Sequence, residues 1–377
     1  MAAWTYLIAD LRTNVVIGEL PLGGVRLSKV LNGSGQLQSS TNLGDAKVQV
    51  HNLYDMTTPA RRVVYALRDS RPFWGGIIWA RDFDRETSRL DLVCADFWSY
   101  FDHRYVLEVL TLPAAASYVA GFSKIFTQID QNEIARQLVT LAQSHTGGDI
   151  GIVVDSAVSG ILRDRTYEGY DLKDVGGALR DIAGLQVGCD IVFDVGALST
   201  TTGRPTRIMR TGTPFIGQSG AAWRWDLGGN MLSYKWSSGG GIMATRTFAQ
   251  GTGVERGAQI AVAENTVRYA DGWALLETDD IHPTVSEFPT LQGHADSQLS
   301  ALDLPLVIPT LRVRGNMPPT LGEYAVGDNG RMVIPPGDLF FTAGLDLPVR
   351  IVSMSVEIDD QGDEKIELGC QSVQEIV

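Results

Sequence analysis

The first hundred residues alternate apolar and polar side chains with a period of two. Val25-Arg-Leu-Ser-Lys-Val-Leu31 is the clearest case, and it predicts a half-buried β-strand because successive side chains leave opposite faces. Residues 4–10 and 14–20 read as strands around a turn at Leu11-Arg-Thr13. Gly33-Ser-Gly35 is a loop, and residues 44–51 fit a strand or a short helix. Residues 62–68, a strand centred on Trp74 and another running from Leu90 to Arg104 complete a meander, with a polar turn at 84–88. Six or so strands with tight turns predict a closed barrel or a sandwich.

The period then lengthens. Asp130-Gln-Asn-Glu133 has the form of a capping box, in which each side chain satisfies the other residue's backbone amide. It opens a helix with Ile134, Leu138 and Leu141 on one face, ending near His145-Thr-Gly-Gly148. A second helix is predicted from Asp171, with Leu172, Val175, Leu179 and Ile182 at helical spacing and Gly184 at its end. Residues 185–195 and 206–211 read as strands around a turn at 198–203, giving a small α+β segment. Strands return at 230–236 and 243–251, on either side of Ser237-Ser-Gly-Gly-Gly241. Residues 289–302 form a third helix with Leu291, Ala295, Leu299 and Leu302 on one side. Strands follow at 311–314, 330–334, 349–358 and 365–368, with a hairpin tip at Asp359-Asp-Gln-Gly-Asp363.

Composition narrows the class. The 377 residues are 44% hydrophobic and 20% charged, which excludes disorder over most of the length and fits two or three domains. No apolar run approaches the length of a membrane span, and Met1-Ala-Ala-Trp-Thr-Tyr-Leu-Ile-Ala-Asp10 lacks the features of a signal peptide. Stable membrane insertion is therefore not expected. The formal charge is -13 and Arg61-Arg62 is the only basic pair, so specific nucleic-acid binding is not expected either. Cys94, Cys189 and Cys370 are odd in number and far apart, which predicts buried thiols and no disulfide framework.

Candidate chemistry is sparse. His51, His103, His145, His282 and His294 show no zinc-ligand spacing, and no nucleophile elbow is present. Asp102-His103 is an adjacent pair, and neighbours on a strand point to opposite faces. Asp279-Asp280 and Asp359-Asp360 read as solvated loop carboxylates. Residues 237–241 carry no lysine and precede no helix, so they do not form a phosphate loop. The 359–363 tip lacks the spacing of a calcium loop. Most tryptophans sit beside aliphatic neighbours in strands, where packing explains them. No catalytic residue, cofactor or metal ligand is predicted, and the chain reads as a protein that is not an enzyme.

Several blocks nevertheless stand out as motifs. Trp74-Gly-Gly-Ile-Ile-Trp79, with Arg81, is followed by Phe97-Trp-Ser-Tyr100. Ser159-Gly-Ile-Leu-Arg163-Asp-Arg165-Thr-Tyr167-Glu-Gly-Tyr170 continues into Val175-Gly-Gly-Ala-Leu-Arg180. Asn230-Met-Leu-Ser-Tyr-Lys-Trp236, Met243-Ala-Thr-Arg-Thr-Phe-Ala-Gln-Gly251 and Tyr324-Ala-Val-Gly327-Asp328 complete the set, with Val326 where the pattern has proline. Together these blocks resemble the minor tail, or baseplate-hub, proteins of long-tailed phages of actinobacteria, and the likeness runs through nearly the whole chain. Residues 230–236 and 243–251 are similar to the two strands of that family's central hairpin.

The resemblance implies a mainly β protein with an α+β insertion, in which two tail-tube-like β-barrels flank an α/β domain. On that plan residues 1–108 form the first barrel. Residues 109–215, completed by 256–304, form the α+β domain, and 216–255 with 305–377 form the second barrel. It implies a structural part of a virion tail tip, assembled in the host cytoplasm as a homotrimer, that adapts tail symmetry. The implied partners are a distal tail ring protein, the tape measure protein and other tip or fibre proteins, with DNA passing through the ring during ejection. The motif residues would be structural. The alternatives are a tail-associated protein that binds carbohydrate or hydrolyses cell wall, and a six-copy distal ring subunit.

Overall fold

The structure, a computed structural model, describes residues 2–44, 48, 52–110, 116–185, 187–220, 222–253, 255–282, 285, 287–359 and 361–373. Most of the 44–51 segment, including His51, lies outside the described residues, as does Asp360 of the predicted hairpin tip. Two compact units are present, one of Met1–Tyr234 with Leu311–Val377 and one of Lys235–Thr310.

The larger unit begins with the predicted meander. Its strands are β1 (Trp4–Asp10), β2 (Val16–Glu19), β3 (Gly23–Val30), β4 (Gln36–Asn42), β5 (Arg62–Arg68), β6 (Arg71–Asp84) and β7 (Arg89–Asp96). Aromatic β-propensity extends the predicted last strand to Arg104, but it stops at Asp96. The Asp96 carboxylate accepts from Trp98 N at 3.0 Å and its carbonyl from Ser99 Oγ, and these local bonds close a helical turn, α1 (Trp98–Phe101).

The α+β segment follows as β8 (Ser123–Asp130), α2 (Gln131–Ser144), β9 (Ile152–Val154), β10 (Leu162–Glu168), α3 (Val175–Ala183), β11 (Asp190–Leu198) and β12 (Pro205–Gly212). Asp130 caps α2 through Asn132 N and Glu133 N. Only this half of the capping box forms, because the Glu133 carboxylate turns to Arg136 and Gln137. The other Asp130 oxygen accepts from Ser159 N, Ser159 Oγ and Gly160 N, which ties the start of α2 to the Ser159-Gly160 motif. Helix α3 starts at Val175 under an Asp174 cap, not at Asp171, because Leu172 takes a left-handed conformation and lies exposed.

The remaining elements are β13 (Trp223–Asp226), β14 (Met231–Gly239), β15 (Arg246–Gln250), β16 (Ile260–Glu264), β17 (Glu277–Ile281), α4 (Phe288–Leu302), β18 (Leu306–Val313), β19 (Asn329–Ile334), β20 (Leu345–Ile358) and β21 (Glu364–Ser372). The principal sheet runs β14-β18-β21-β20-β3-β4-β7-β6-β5-β1-β2, with β19 on β20 and β13 on β19. No closed barrel forms among the described residues. Strand β3 pairs with β4 on one side and β20 on the other, from Ser353↔Val30 to Ile358↔Val25, so the C-terminal strands extend the N-terminal sheet instead of closing on themselves. Nor do β14 and β15 make a hairpin: β14 joins β18, whereas β15 sits between β16 and β17 in a separate three-stranded sheet.

One core serves the meander and the α+β segment. Val63, Tyr65, Ile77, Trp98 and Phe101 pack with Ile134, Leu138, Val175, Leu179, Ile191 and Phe193. In the smaller unit, Leu291 and Ala295 of α4 cover Ala249, Ala261 and Ala263 of the sheet.

Candidate assembly site

The motif residues occupy several separate places and form no single cleft. The first is where β11 lies on β6. Trp74 is buried and donates from Nε1 to Ser28 O of β3 at 2.9 Å. A side chain at Gly75 would meet Val195 Cγ2 at 2.5 Å, and one at Gly76 would meet Ala95 O and the Trp74 ring at 2.4 Å. Gly75 therefore lets a strand of the α+β segment approach the meander, and Gly76 leaves room for the Trp74 ring and the β7 backbone. Phe97 and Trp98 are fully buried, and Phe193 of β11 stacks on Phe101 and meets Trp98 edge-on. Trp79 donates to Ser99 Oγ, Tyr100 to Gly148 O, and Arg81 lies over the Tyr54 ring while bonding Thr57 Oγ1.

The second place centres on Arg207 of β12, which the sequence reading missed. It is a buried cation held by neutral oxygens: Tyr65 Oη, Leu11 O, Ile150 O and Asn14 Oδ1, with the Phe97 ring 5.0 Å away. Its signal was present, since Arg207, Met209 and Thr211 share the buried face of an alternating strand.

The third place joins the α+β segment to the C-terminal strands. The buried Asp190 carboxylate pairs with the Arg350 guanidinium and accepts from Ile216 N at 2.9 Å and Asn32 Nδ2 at 3.1 Å. Arg350 also donates to Gly327 O and covers the Phe215 ring. Beside it, Asp328 accepts from Gln218 N, Trp223 Nε1 and Ala325 N. Gly327 has φ +97, and a side chain there would strike Ile216. Asn230 fixes the far end of β13 through Asp226 N, Arg224 O and Pro318 O.

The remaining motif residues are scattered. Arg163, Arg165 and Tyr167 lie on β10, where Tyr167 packs edge-on to Phe126. Tyr170 is exposed, and Trp236 belongs to the smaller unit.

The reactive groups are engaged structurally. His103 does not sit on a strand: it follows α1 and packs at a tilt against the Trp79 ring, 4.7 Å between centroids, while Asp102 pairs with Arg180 at 2.8 Å. All three cysteines are free and buried, and burial pushes the Cys189 and Cys370 thiols up to about 12. Burial opposes ionisation of Asp194, but the Lys29 ammonium and Arg210 guanidinium outweigh it and hold the carboxyl below its usual range. A groove of about 580 Å³ is lined by Lys124, Glu133, Arg136 and Asp155, and its Arg136 is paired with both carboxylates. A second, of about 560 Å³, lies among Trp4, Ser40, Asn42 and Asp359. No metal-holding cluster occurs among the described residues.

Asp96 is the exception that titrates near neutrality. Burial raises its carboxyl to about 7, against the lowering effect of bonds from Gly35 N, Ser34 Oγ and Trp98 N. The native carboxyl thus keeps a proton that the unfolded chain releases near pH 4, at about its ordinary value. Its contribution to stability is full below that pH and is lost as the pH rises through about 7. Asp96→Asn removes the titration and adds a constant penalty of about 1–3 kcal/mol for a lost acceptor. Urea unfolding is expected to show wild type ahead by that amount below about pH 4, and the difference moving against wild type between about pH 4 and about pH 7 by up to about 4 kcal/mol, at ~1.4 kcal/mol per pKa unit, enough to reverse the order.

Several apolar side chains remain uncovered. Leu339 is fully exposed beside exposed Phe340, in a loop ordered by Asp338, which accepts from Phe340 N, Phe341 N and Tyr234 Oη. The two-stranded β8–β10 sheet exposes Ile125 and Leu162. No described helix is long and apolar enough to cross a membrane.

No protein-family model and no curated protein matches the sequence. Solved structures do. The 43 kDa tail protein of prophage MuSo2 from Shewanella oneidensis aligns with a TM-score of 0.63 at 11% identity, over 99% of this chain and 98% of that one. The tail protein from Neisseria meningitidis MC58 gives 0.60 at 10% identity, over 97% and 96%. Prophage tail protein gp18 from Listeria monocytogenes EGD-e gives 0.54 at 12%, over 97% and 94%. The chain therefore has the fold of phage tail proteins along nearly its whole length.

Proposed function

We propose that this chain is a structural component of a phage tail that acts as a hub at the tip. The observation that carries the reading is the end-to-end correspondence of fold with the prophage MuSo2 tail protein, in which neither chain has a large unmatched part. On this reading the motif residues set the packing of one segment on another. Three copies form a ring at the end of the tail tube, adapt its symmetry, and dock a distal tail ring protein, the tape measure protein and fibre proteins. Ring formation allows the three-part organisation at 1–108, 109–215 with 256–304, and 216–255 with 305–377, because strand ladders left open in one copy can continue into the next. The ring admits DNA without binding it specifically, and the net charge of -13 favours that by repelling phosphate.

The work proposed is mechanical. Purified protein incubated with host peptidoglycan is expected to release no soluble fragments. Release that disappears on changing a single carboxylate would overturn the structural reading in favour of a wall-hydrolysing tail protein. Copy number in the particle separates a three-copy hub from a six-copy ring.

A further inference from the structure

The smaller unit has a thin core. Among its described residues, Met243 and Leu291 are the only large apolar side chains that are buried, and α4 packs through Leu291 and Ala295 onto a floor of alanines. Polar bonds supplement that packing. Thr247 Oγ1 donates to Ala295 O at 2.8 Å, and Gln292 Nε2 donates to Val262 O at 2.9 Å. A further contact lies at the end of β17. His282 follows that strand, and its ring stacks on His294 of α4 with centroids 3.9 Å apart and planes 19° apart. The His282 backbone is tied to the sheet, because its N–H donates to Gln250 O at 2.7 Å. The two rings therefore bridge the sheet and the helix that covers it.

We propose that His282 and His294 form an acid-sensitive clasp, which holds α4 on its sheet near neutral pH and releases it when both rings are charged. Neutral imidazoles stack freely, whereas two imidazolium ions at this separation repel each other. The surrounding charges compensate only one of them. Asp280 Oδ2 lies 3.1 Å from His282 Nε2, so a first proton is held on His282. Asp280 is registered with Ala249 on the α4 side of the sheet. Arg246, Glu264, Glu277 and Asp279 lie on the other side, and Arg246 already bridges the two glutamates. On α4, Asp296 accepts from Gln292 Nε2, and Asp303 at its end is paired with Arg268. Glu287, Glu255 and Arg256 are exposed on the connecting segments. One carboxylate thus serves two imidazoles. Burial, and next the charge on His282, hold His294 below its usual range, and Asp280 offsets only part of this. An unfolded imidazole takes its proton at about pH 6.5, and His294 in the folded unit takes it only at lower pH. The clasp is therefore intact above about pH 6.5 and loses stability as the pH falls. The thin core makes the unit responsive, because one uncompensated charge is large against the little apolar area that holds α4.

The test is amide hydrogen exchange of the full chain, read by mass spectrometry on peptides from residues 288–302 and corrected for the intrinsic effect of pH on exchange. Protection of α4 is expected to fall between about pH 7.5 and about pH 5, the range in which histidine titrates. The fall is expected to approach about ten-fold for each unit by which folding lowers the His294 value, while α2 in the larger unit shows none. His294→Phe keeps a ring in the stack without the charge and is expected to abolish the fall. Asp280→Asn is expected to deepen it, because the first imidazolium then lacks its partner as well. A merely structural contact would not respond in this way. Wild-type α4 whose protection does not change with pH overturns the proposal, and so does a fall that persists in folded His294→Phe. If the phenylalanine variant does not fold, the Asp280→Asn profile decides: a fall no deeper than in wild type overturns the clasp. These outcomes concern the smaller unit alone. The tail role fails separately, if purified particles lack the chain.

Discussion

Replacing Arg207 with methionine is expected to lower the stability of the larger unit by about 3–5 kcal/mol, from roughly 1–3 kcal/mol for each buried acceptor left without a donor. Methionine fills much of the volume but donates nothing. Leu11 O and Ile150 O both point at the guanidinium, and Tyr65 Oη and Asn14 Oδ1 complete its surroundings. The loss falls between β12 and the meander, because Leu11, Asn14 and Tyr65 come from the first seventy residues. Lysine keeps the charge but cannot reproduce the planar fork, so Arg207→Lys should be destabilising too. Urea unfolding followed by tryptophan fluorescence measures both. A midpoint unchanged in Arg207→Met would show that these acceptors find other donors.

The Asp190–Arg350 pair should behave differently. Asp190→Ala leaves a buried guanidinium without its carboxylate and is expected to cost about 3–5 kcal/mol. It also removes the acceptor of Ile216 N. Arg350→Met should cost a similar amount by stranding Asp190. The double variant Asp190→Leu, Arg350→Met is expected to cost clearly less than the sum, because replacing both charges by apolar side chains removes the desolvation cost as well. Strict additivity would mean that the two residues act independently, despite their contact in the structure.

The sequence pattern exposed local structure well and pairing poorly. Alternation located β3, β20 and β21, a continuous apolar run located β5, and helical spacing located α2, which ends at Ser144 with His145 as its cap. Alternation says which face a side chain takes, but not which strand lies alongside. The join between β3 and β20 links residues more than 300 positions apart, and it replaces the expected closed barrel with an open sheet. Strand β8 was hidden because only Phe126 of its middle is buried, so its apolar period is weak. Of the family-like blocks, Gly75, Phe97 and Trp98 lie where β11 meets the meander, whereas Tyr170 is exposed and Trp236 belongs to the smaller unit. Arg207, Asp190, Arg350 and Asn32 escaped notice because each is a single polar residue whose partners are distant in sequence.

The central claim is that this chain is built into a phage tail. Reconstruction of the tail tip in purified particles from cells that make the chain tests it most directly. The account predicts density for this fold as a ring of three copies at the end of the tail tube. Intact, infectious particles that contain none of the chain would contradict it.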